Sequence, residues 1–568
     1  MHRKPRGIDL FFLAAFAIFI TLQPYFLYGG LNYFELGIYL PNISALLDGQ
    51  IPYRDFFHLR GPLELYVPAF FMHIFGENAA VLAAYFYVGT VVTLLIGIWI
   101  AKDLYRTRLV LYLMVPVFVG RTFPRVVFMN WGGLRYGLGL LALLLAIGFF
   151  RRKKSFWLVA SGIISGLALL TSVEIGVCAI FSILATCVFA QYAHFHDKRV
   201  TWKFIRTYIL GLALVLLPYS IYLLTTQSLL AYWDMTYAVV TNMTKVFPDY
   251  LFEDHPKNFL EAILAMSPLN RHFQHLTPAY CYLFFMAYIV YKIKRKTLNE
   301  ECLPISVVVF YGLIMYIMAF RKIGAAQFEM ALQPEKIILF FMLEEAYLLL
   351  RNKKEKIRKL LQRKMLNTAR EFNQLKIFAI NFLILGFIMS SLGYSLMRYD
   401  RRFFSFQYIK YALLGKDRKE LVPLSDGNAE QMRLKRVKGM VVPSWQAQEF
   451  RQLTEFVDKN IKQGEPIFMF PELGFYSFLV DRPFVGRFPM ATFSWIGGWH
   501  DEFLGDLKAT KPMYAVLSKD PGPSFPRAYF KIEANKRYYD EIMQYINDYY
   551  VQVNSTPTLL IYQRKSGS

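Results

Sequence analysis

Charge is scarce in this sequence. Asp, Glu, Lys and Arg make up 18% of the 568 residues, against 55% hydrophobic and 17% aromatic, and the mean hydropathy is +0.31. A soluble chain of this length carries more charge and less apolar surface, so composition points to an integral membrane protein. Cysteine is scarcer still. Cys178, Cys187, Cys281 and Cys302 all lie in or beside apolar segments and form no CxxC pair, which argues against a disulfide framework and a cysteine zinc site. His58, His255, His272, His275 and His500 share no metal-type spacing. Walker A, GxSxG and GxGxxG patterns are missing, so soluble nucleotide chemistry has no visible machinery. Acidic residues are outnumbered, 41 to 64, for a net charge of +23. The basic excess sits in short runs between apolar segments, which suits loops beside an anionic leaflet and not nucleic acid.

What the chain does have is apolar length. A span needs about 20 apolar residues, and eleven segments qualify, at roughly 9–28, 79–101, 109–120, 133–150, 156–172, 175–191, 207–226, 277–291, 303–320, 335–350 and 377–397. The first follows a basic start and lacks a small-residue cleavage site, so it reads as an uncleaved signal anchor. With a cytoplasmic N-terminus, alternate loops fall on "KDLYRTR", "RRKK", "HDKRVTWKFIR", "YKIKRK" and "RNKKEKIRKLLQRK", all strongly basic. The intervening loops are mixed in sign, as the positive-inside rule requires.

This layout gives a polytopic α-helical membrane protein of about 11 spans. Residues 1–397 form the transmembrane part, with a first external loop at 29–78, and residues 398–568 lie on the extracytoplasmic side. In that last part "PIFMFP", "MYAVLSKD" and "TLLIYQRK" read as strands between helices near 446–461 and 537–550, a small α/β domain. The polar stretch 413–439 reads as its linker.

The first external loop gathers Glu35, Arg54, Asp55, His58 and Arg60 beside the first span. Residues Leu40–Leu47 read as a short amphipathic helix ending at Gly49, and a turn at Pro52 should fold Asp55, His58 and Arg60 back towards Glu35. Arg121, Arg125, Arg135 and Arg321 also fall at the outer boundary, where topology does not ask for basic residues. Their guanidinium forks suit phosphate oxygens. Glu174 lies between two spans with almost no loop, where an unpaired acid is costly. Glu344 and Glu345, at the cytoplasmic end of a span, read as structural.

The stretch "FELGIYLPNISALLDGQIPYRDFFHLRGPLELYVPAFFMHIFG" resembles the first external loop of bacterial GT-C glycosyltransferases. These are family 39-like membrane enzymes related to protein mannosyltransferases and aminoarabinose transferases. The resemblance rests on Glu35, Gly49, Pro52-Tyr53-Arg54-Asp55-Phe56, Gly61-Pro62 and Phe75-Gly76. "NWGGLRYGLGLLALLLA" and "RKIGAAQFEMALQP" are similar to two further stretches of the family. Gln327 stands where relatives often have His, and Phe34 and Leu36 stand where they often have a second acid.

The resemblance implies transfer of a sugar from a polyprenyl-phosphate donor to a glycan, lipid or protein acceptor outside the cytoplasm of a bacterium. Glu35 is then the base, with Asp55 beside it as second acid. Arg54, His58, Arg60, Arg135, Glu174, Arg321 and Gln327 line the substrates. A divalent cation, Mg or Mn, would be held by Glu35 and Asp55 if one is used. A non-enzymatic transporter or assembly protein for lipid-linked sugars is the alternative. It should carry polar residues at mid-membrane, where these spans have almost none.

Overall fold

The structure, a computed structural model, describes residues 4–21, 33–122, 133–191, 198–247, 259–264, 273–298, 300–319, 333–361, 421–431, 433–519 and 529–566. Arg125, Arg321, Gln327 and the expected span 377–397 lie outside these residues.

The helices run in chain order as α1 (Gly7–Thr21), α2 (Tyr33–Leu47), α3 (Leu63–Phe75), α4 (Ala79–Leu104), α5 (Arg108–Thr122), α6 (Arg135–Arg152), α7 (Ser155–Thr171), α8 (Val173–Ala190), α9 (Lys198–Thr225), α10 (Leu229–Val246), α11 (Phe259–Leu264), α12 (Phe273–Lys294), α13 (Leu303–Ala319) and α14 (Gln333–Leu361). The other ten expected spans fall on α1, α4 to α9 and α12 to α14. Among the described residues, four helices are long and apolar enough to cross a membrane: α4, α8, α9 and the segment Glu300–Ala319 that contains α13. Parts of α1 and α5, and all of α3 and α7, are apolar but shorter.

The apolar residues of these helices form one core, drawn from α1, α4 to α9 and α12 to α14. Its basic end is tied by buried carboxylates. Glu344 on α14 accepts the Thr107 N–H at 2.6 Å, the Thr107 hydroxyl at 2.7 Å and the Arg106 N–H at 2.8 Å. Asp9 on α1 accepts the Arg6 N–H at 2.7 Å, Arg108 Nε at 2.9 Å and the Tyr112 hydroxyl at 3.0 Å.

A second core caps the opposite end. It joins α2, α3, the start of α4 and α10 to residues from 424 to 561. Helix α2 begins seven residues earlier than the amphipathic pattern suggested. It is not amphipathic: Leu36, Ile38, Tyr39, Leu40 and Ile43 are all fully buried. It is enclosed because the helix Gly474–Leu479 packs on its far side and the Phe57 N–H bonds the Arg487 carbonyl at 2.7 Å.

Within the C-terminal region the strands are β1 (Leu421–Pro423), β2 (Val441–Pro443), β3 (Phe468–Phe470), β4 (Tyr514–Ser518), β5 (Tyr550–Ser555) and β6 (Leu559–Arg564). The four-stranded sheet has the order β3-β4-β6-β5, with β3 parallel to β4 and the other pairs antiparallel. Three of these strands and two flanking helices, Ser444–Asn460 and Glu533–Tyr549, match the expected pattern. Strand β5 did not show in the sequence, because it is an exposed edge with no buried face to print a period of two. Part of the stretch expected as a linker takes part in the fold. Strand β1 pairs with β2, and Leu424, Leu434 and Val437 are buried among apolar partners that lie far away in sequence.

Candidate active site

Four helices begin at the capped end of the bundle with a charged residue in the first turn: Glu35 in α2, Glu64 in α3, Arg135 in α6 and Glu174 in α8. Carboxylates suit the positive end of a helix dipole, but a guanidinium does not. Arg135, only 4% exposed, therefore depends on acidic and aromatic neighbours. Its Nη2 donates to the Tyr136 hydroxyl at 3.0 Å, and its guanidinium carbon lies 4.6 Å from the centre of that ring.

Glu35 is 4% exposed, and both of its carboxylate oxygens lie 3.3 Å from Nη2 of Arg60. Two loop contacts place that arginine. The Tyr53 hydroxyl donates to the Arg60 carbonyl at 2.9 Å. The Gly61 N–H then donates to the Thr171 carbonyl at 3.1 Å, seating the loop on the turn between α7 and α8. A Cβ at Gly61 would lie 2.3 Å from the Leu170 carbonyl oxygen, so only glycine allows this approach. Burial works against the Arg60 charge, but Glu35, then Tyr39, Tyr136 and Glu174, hold its pKa above the ordinary guanidinium value. Glu174 itself is exposed beside this group.

Glu64 is fully buried and accepts the Tyr85 hydroxyl at 3.2 Å and the Tyr39 hydroxyl at 3.3 Å. Burial raises its pKa, and the charges of Arg135 and then Arg60 oppose the rise. Gly133, in the left-handed region at φ 47°, packs directly on this carboxylate; a Cβ there would stand 2.6 Å from an oxygen. Glu35, Arg60, Glu64 and Arg135 thus alternate in sign through one buried cluster. Tyr39 bridges its middle, sensing both acids and both arginines.

The loop's other residues divide. His58 is buried next to Asn42, with Nδ1 3.2 Å from Asn42 Nδ2. Burial, and then Arg60, push its pKa down to about 3, so the imidazole is neutral. Asp55 does not turn towards Glu35. Its carboxylate caps the turn by accepting the Ile51 N–H at 2.7 Å, and Arg54 Nε holds it at 2.7 Å. Arg54 also reaches the Thr226 carbonyl at 3.3 Å, which ties the loop to the end of α9. A proline turn leaves backbone N–H groups to satisfy, and Asp55 is the nearest acceptor.

Among the described residues no group of three His, Cys, Asp or Glu is arranged to hold a metal ion. Glu35 faces a guanidinium, and Asp55 is engaged elsewhere. Sequence reasoning missed Glu64 although a signal was present: it is the one carboxylate inside the otherwise apolar run "LELYVPAFF". Tyr39, Tyr85 and Tyr136 carried no such signal, since aromatics are common throughout the chain.

No protein-family model matches the sequence, and no curated protein matches it. Solved structures similar in overall path include ArnT from Cupriavidus metallidurans bound to undecaprenyl phosphate, with 11% identity, 99% of this chain and 98% of that chain covered, and a TM-score of 0.46. The apo state of the same protein gives 11% identity, coverage of 98% and 97%, and a TM-score of 0.44. The archaeal oligosaccharyltransferase AglB from Archaeoglobus fulgidus, in complex with an inhibitory peptide and a dolichol-phosphate, gives 13% identity, coverage of 98% and 74%, and a TM-score of 0.47. At these scores the likeness is loose and assigns no role to any residue of the cluster.

Proposed function

We propose that this chain is an inverting glycosyltransferase of the GT-C kind. In this reading it moves a sugar from a polyprenyl-phosphate carrier to an acceptor hydroxyl or amine at the outer face of a bacterial cytoplasmic membrane. The N-terminus is cytoplasmic, about eleven spans cross the bilayer, and residues 398–568 cover the outer mouths of the helices. The observation that carries the reading is the cluster of buried Glu35, Glu64 and Arg135 at the starts of α2, α3 and α6, with half-buried Arg60 among them, at the end of an apolar bundle.

Each member has work to do in such a transfer. The acceptor is a weak nucleophile, and the Glu35 carboxylate takes its proton as the new bond to the anomeric carbon forms. The bond from that carbon to the phosphate oxygen breaks on the opposite side, and the electron pair leaves with the lipid phosphate. Arg60 and Arg135 receive that growing charge. Arg60 holds Glu35 in the resting state, so an arriving phosphate competes for the same guanidinium and releases the carboxylate to act as base. Glu64 keeps the two arginines apart and limits their mutual repulsion. Asp55 and Arg54 shape the loop, and Glu174, at the exposed edge, meets the sugar or its acceptor. A single displacement needs one base and no covalent intermediate.

The test uses purified protein in proteoliposomes and a set of undecaprenyl-phosphate-linked pentoses and hexoses. Release of undecaprenyl phosphate is followed with and without added glycan, lipid and peptide acceptors. Glu35→Gln should lower the rate by about 10²- to 10⁴-fold while leaving donor binding intact. Wild-type turnover by a folded Glu35→Gln protein would remove Glu35 as the base. Movement of intact lipid-linked sugar across the bilayer, with no bond broken, would favour the transport reading instead.

A further inference from the structure

Helix α10 divides its exposed side into two halves. Leu230, Trp233, Tyr237 and Val240 recur every three or four residues and are 83%, 62%, 69% and 58% exposed. With 3.6 residues per turn they form one stripe. Asp234, Thr241 and Lys245 occupy the adjoining exposed strip. Met235, Ala238 and Val246 point the other way, into the second core. A helix bathed wholly in water has no use for four large apolar side chains in a row, and one crossing a bilayer would not carry the charged strip.

Both ends of α10 are fixed. It starts three residues after α9, at a turn where the Thr226 and Ser228 hydroxyls lie 2.7 Å apart and Arg54 reaches the Thr226 carbonyl. At its far end Asn535 Nδ2 donates to the Val246 carbonyl at 2.8 Å, and Phe247 packs on Tyr529 at 5.1 Å. Two other helices also carry exposed apolar side chains. Helix α9 presents Leu214, Leu217 and Ile221, and α3 presents Phe70 and Ile74. The two are joined where the Tyr66 and Tyr222 hydroxyls meet at 2.7 Å.

We propose that α10 is an in-plane helix seated in the bilayer interface, with Leu230, Trp233, Tyr237 and Val240 in the lipid and Asp234, Thr241 and Lys245 among the headgroups. The occupant of the stripe is bilayer lipid, because α10 follows the apolar, largely unburied, lipid-length helix α9 after a three-residue turn and its stripe mixes aromatic with aliphatic side chains, as interfacial segments do. The seat stands apart from the sugar-transfer reading, since it needs only a membrane. It nevertheless touches the candidate site. On the inner side of α10 the Tyr232 ring packs edge-on against Tyr53 at 5.0 Å, and Tyr53 holds the Arg60 carbonyl.

The experiment places a nitroxide at single introduced cysteines in the full chain, reconstituted in phosphatidylcholine vesicles. The four native cysteines are buried and serve as the unlabelled background. Tyr237→Cys and Val240→Cys report the apolar stripe and Asp234→Cys the polar strip. Leu214→Cys on α9 and Lys508→Cys on the C-terminal region supply the lipid and water references. For the stripe, relaxation by oxygen should exceed relaxation by a water-soluble nickel chelate, close to the Leu214→Cys ratio. Asp234→Cys should fall between the two references. A stripe ratio equal to that of Lys508→Cys would overturn the seat in favour of open water. Protection from both relaxants would overturn it in favour of a covering protein, such as a second copy. Using two stripe positions keeps the result readable if one variant fails to fold.

Discussion

The two ends of the helical bundle both bury carboxylates, and they hold them differently. At the basic end Glu344 receives two backbone N–H groups and a hydroxyl at 2.6 to 2.8 Å, and Asp9 is held at 2.7 to 3.0 Å. At the capped end Glu35 meets Arg60 at 3.3 Å, and Glu64 meets two tyrosines at 3.2 and 3.3 Å. Charge-assisted hydrogen bonds normally close to about 2.7–2.9 Å. At the basic end each acid accepts at least one backbone N–H, a donor that cannot leave: two for Glu344, and one for Asp9 beside Arg108 and Tyr112. The capped end holds its acids with side chains that can change partner. The first arrangement builds a joint, and on the proposed reading the second leaves a carboxylate able to exchange partners. Glu449 in the C-terminal region belongs with the joints, accepting the Thr558 hydroxyl at 2.7 Å, its N–H at 2.8 Å and the Tyr476 hydroxyl at 3.0 Å.

The most direct way to break this contrast is to remove one acid from each end. Glu35→Gln should cost two or more orders of magnitude in transfer, with thermal unfolding almost unmoved. Glu344→Ala should do the reverse. It strands two buried N–H groups, and a loss on the order of 3 kcal/mol in stability is expected with turnover per folded molecule retained. Because all four thiols are buried, the rate of labelling by a thiol-reactive dye on heating reads unfolding for both variants. Equal destabilisation by the two would erase the distinction.

A finer cut is Arg60→Lys. The charge stays, but the fork that spans a carboxylate and a phosphate is lost, so turnover should fall by about tenfold, the worth of one charged hydrogen bond. A purely structural Arg60 would show the change in melting and not in turnover.

A third kind of acid gives a pH-dependent test. Glu472, near the junction of the C-terminal region with α2, accepts Thr492 Oγ1 at 3.3 Å, and burial pushes its pKa up to about 8. An ordinary glutamate near 4.5 ionises on unfolding, so between about pH 4.5 and 8 the folded chain holds the extra proton. Its contribution to stability is therefore full at low pH and declines as pH rises through that window. Glu472→Gln should flatten the dependence and melt later than wild type at pH 8. A profile unchanged by the substitution would place the carboxyl outside the folded core.

How much of this was legible beforehand depends on where the partners lie. Ten of the expected spans coincide with helices, because a run of apolar residues needs no knowledge of its neighbours to become a buried helix. The strands β3, β4 and β6 also print themselves as short apolar runs. The pairing of Glu35 with Arg60 was anticipated as a fold-back of the loop, but the same reasoning sent Asp55 there as well. Asp55 instead satisfies the backbone N–H that its own turn exposes, four residues away. Glu64 was passed over because a single acid in an apolar helix has no local partner to declare its role.

By itself the sequence determined the membrane character, the positions of the apolar helices and the loop in which the charges gather. These follow from local composition, which sets the transfer free energy of each segment. Only the tertiary structure decided which partners each buried acid meets. It also showed that the C-terminal region shares one core with the first loop. Both outcomes depend on contacts between residues hundreds of positions apart, such as Glu344 with Thr107 and Phe57 with Arg487, and no local pattern specifies the distance at which such groups meet.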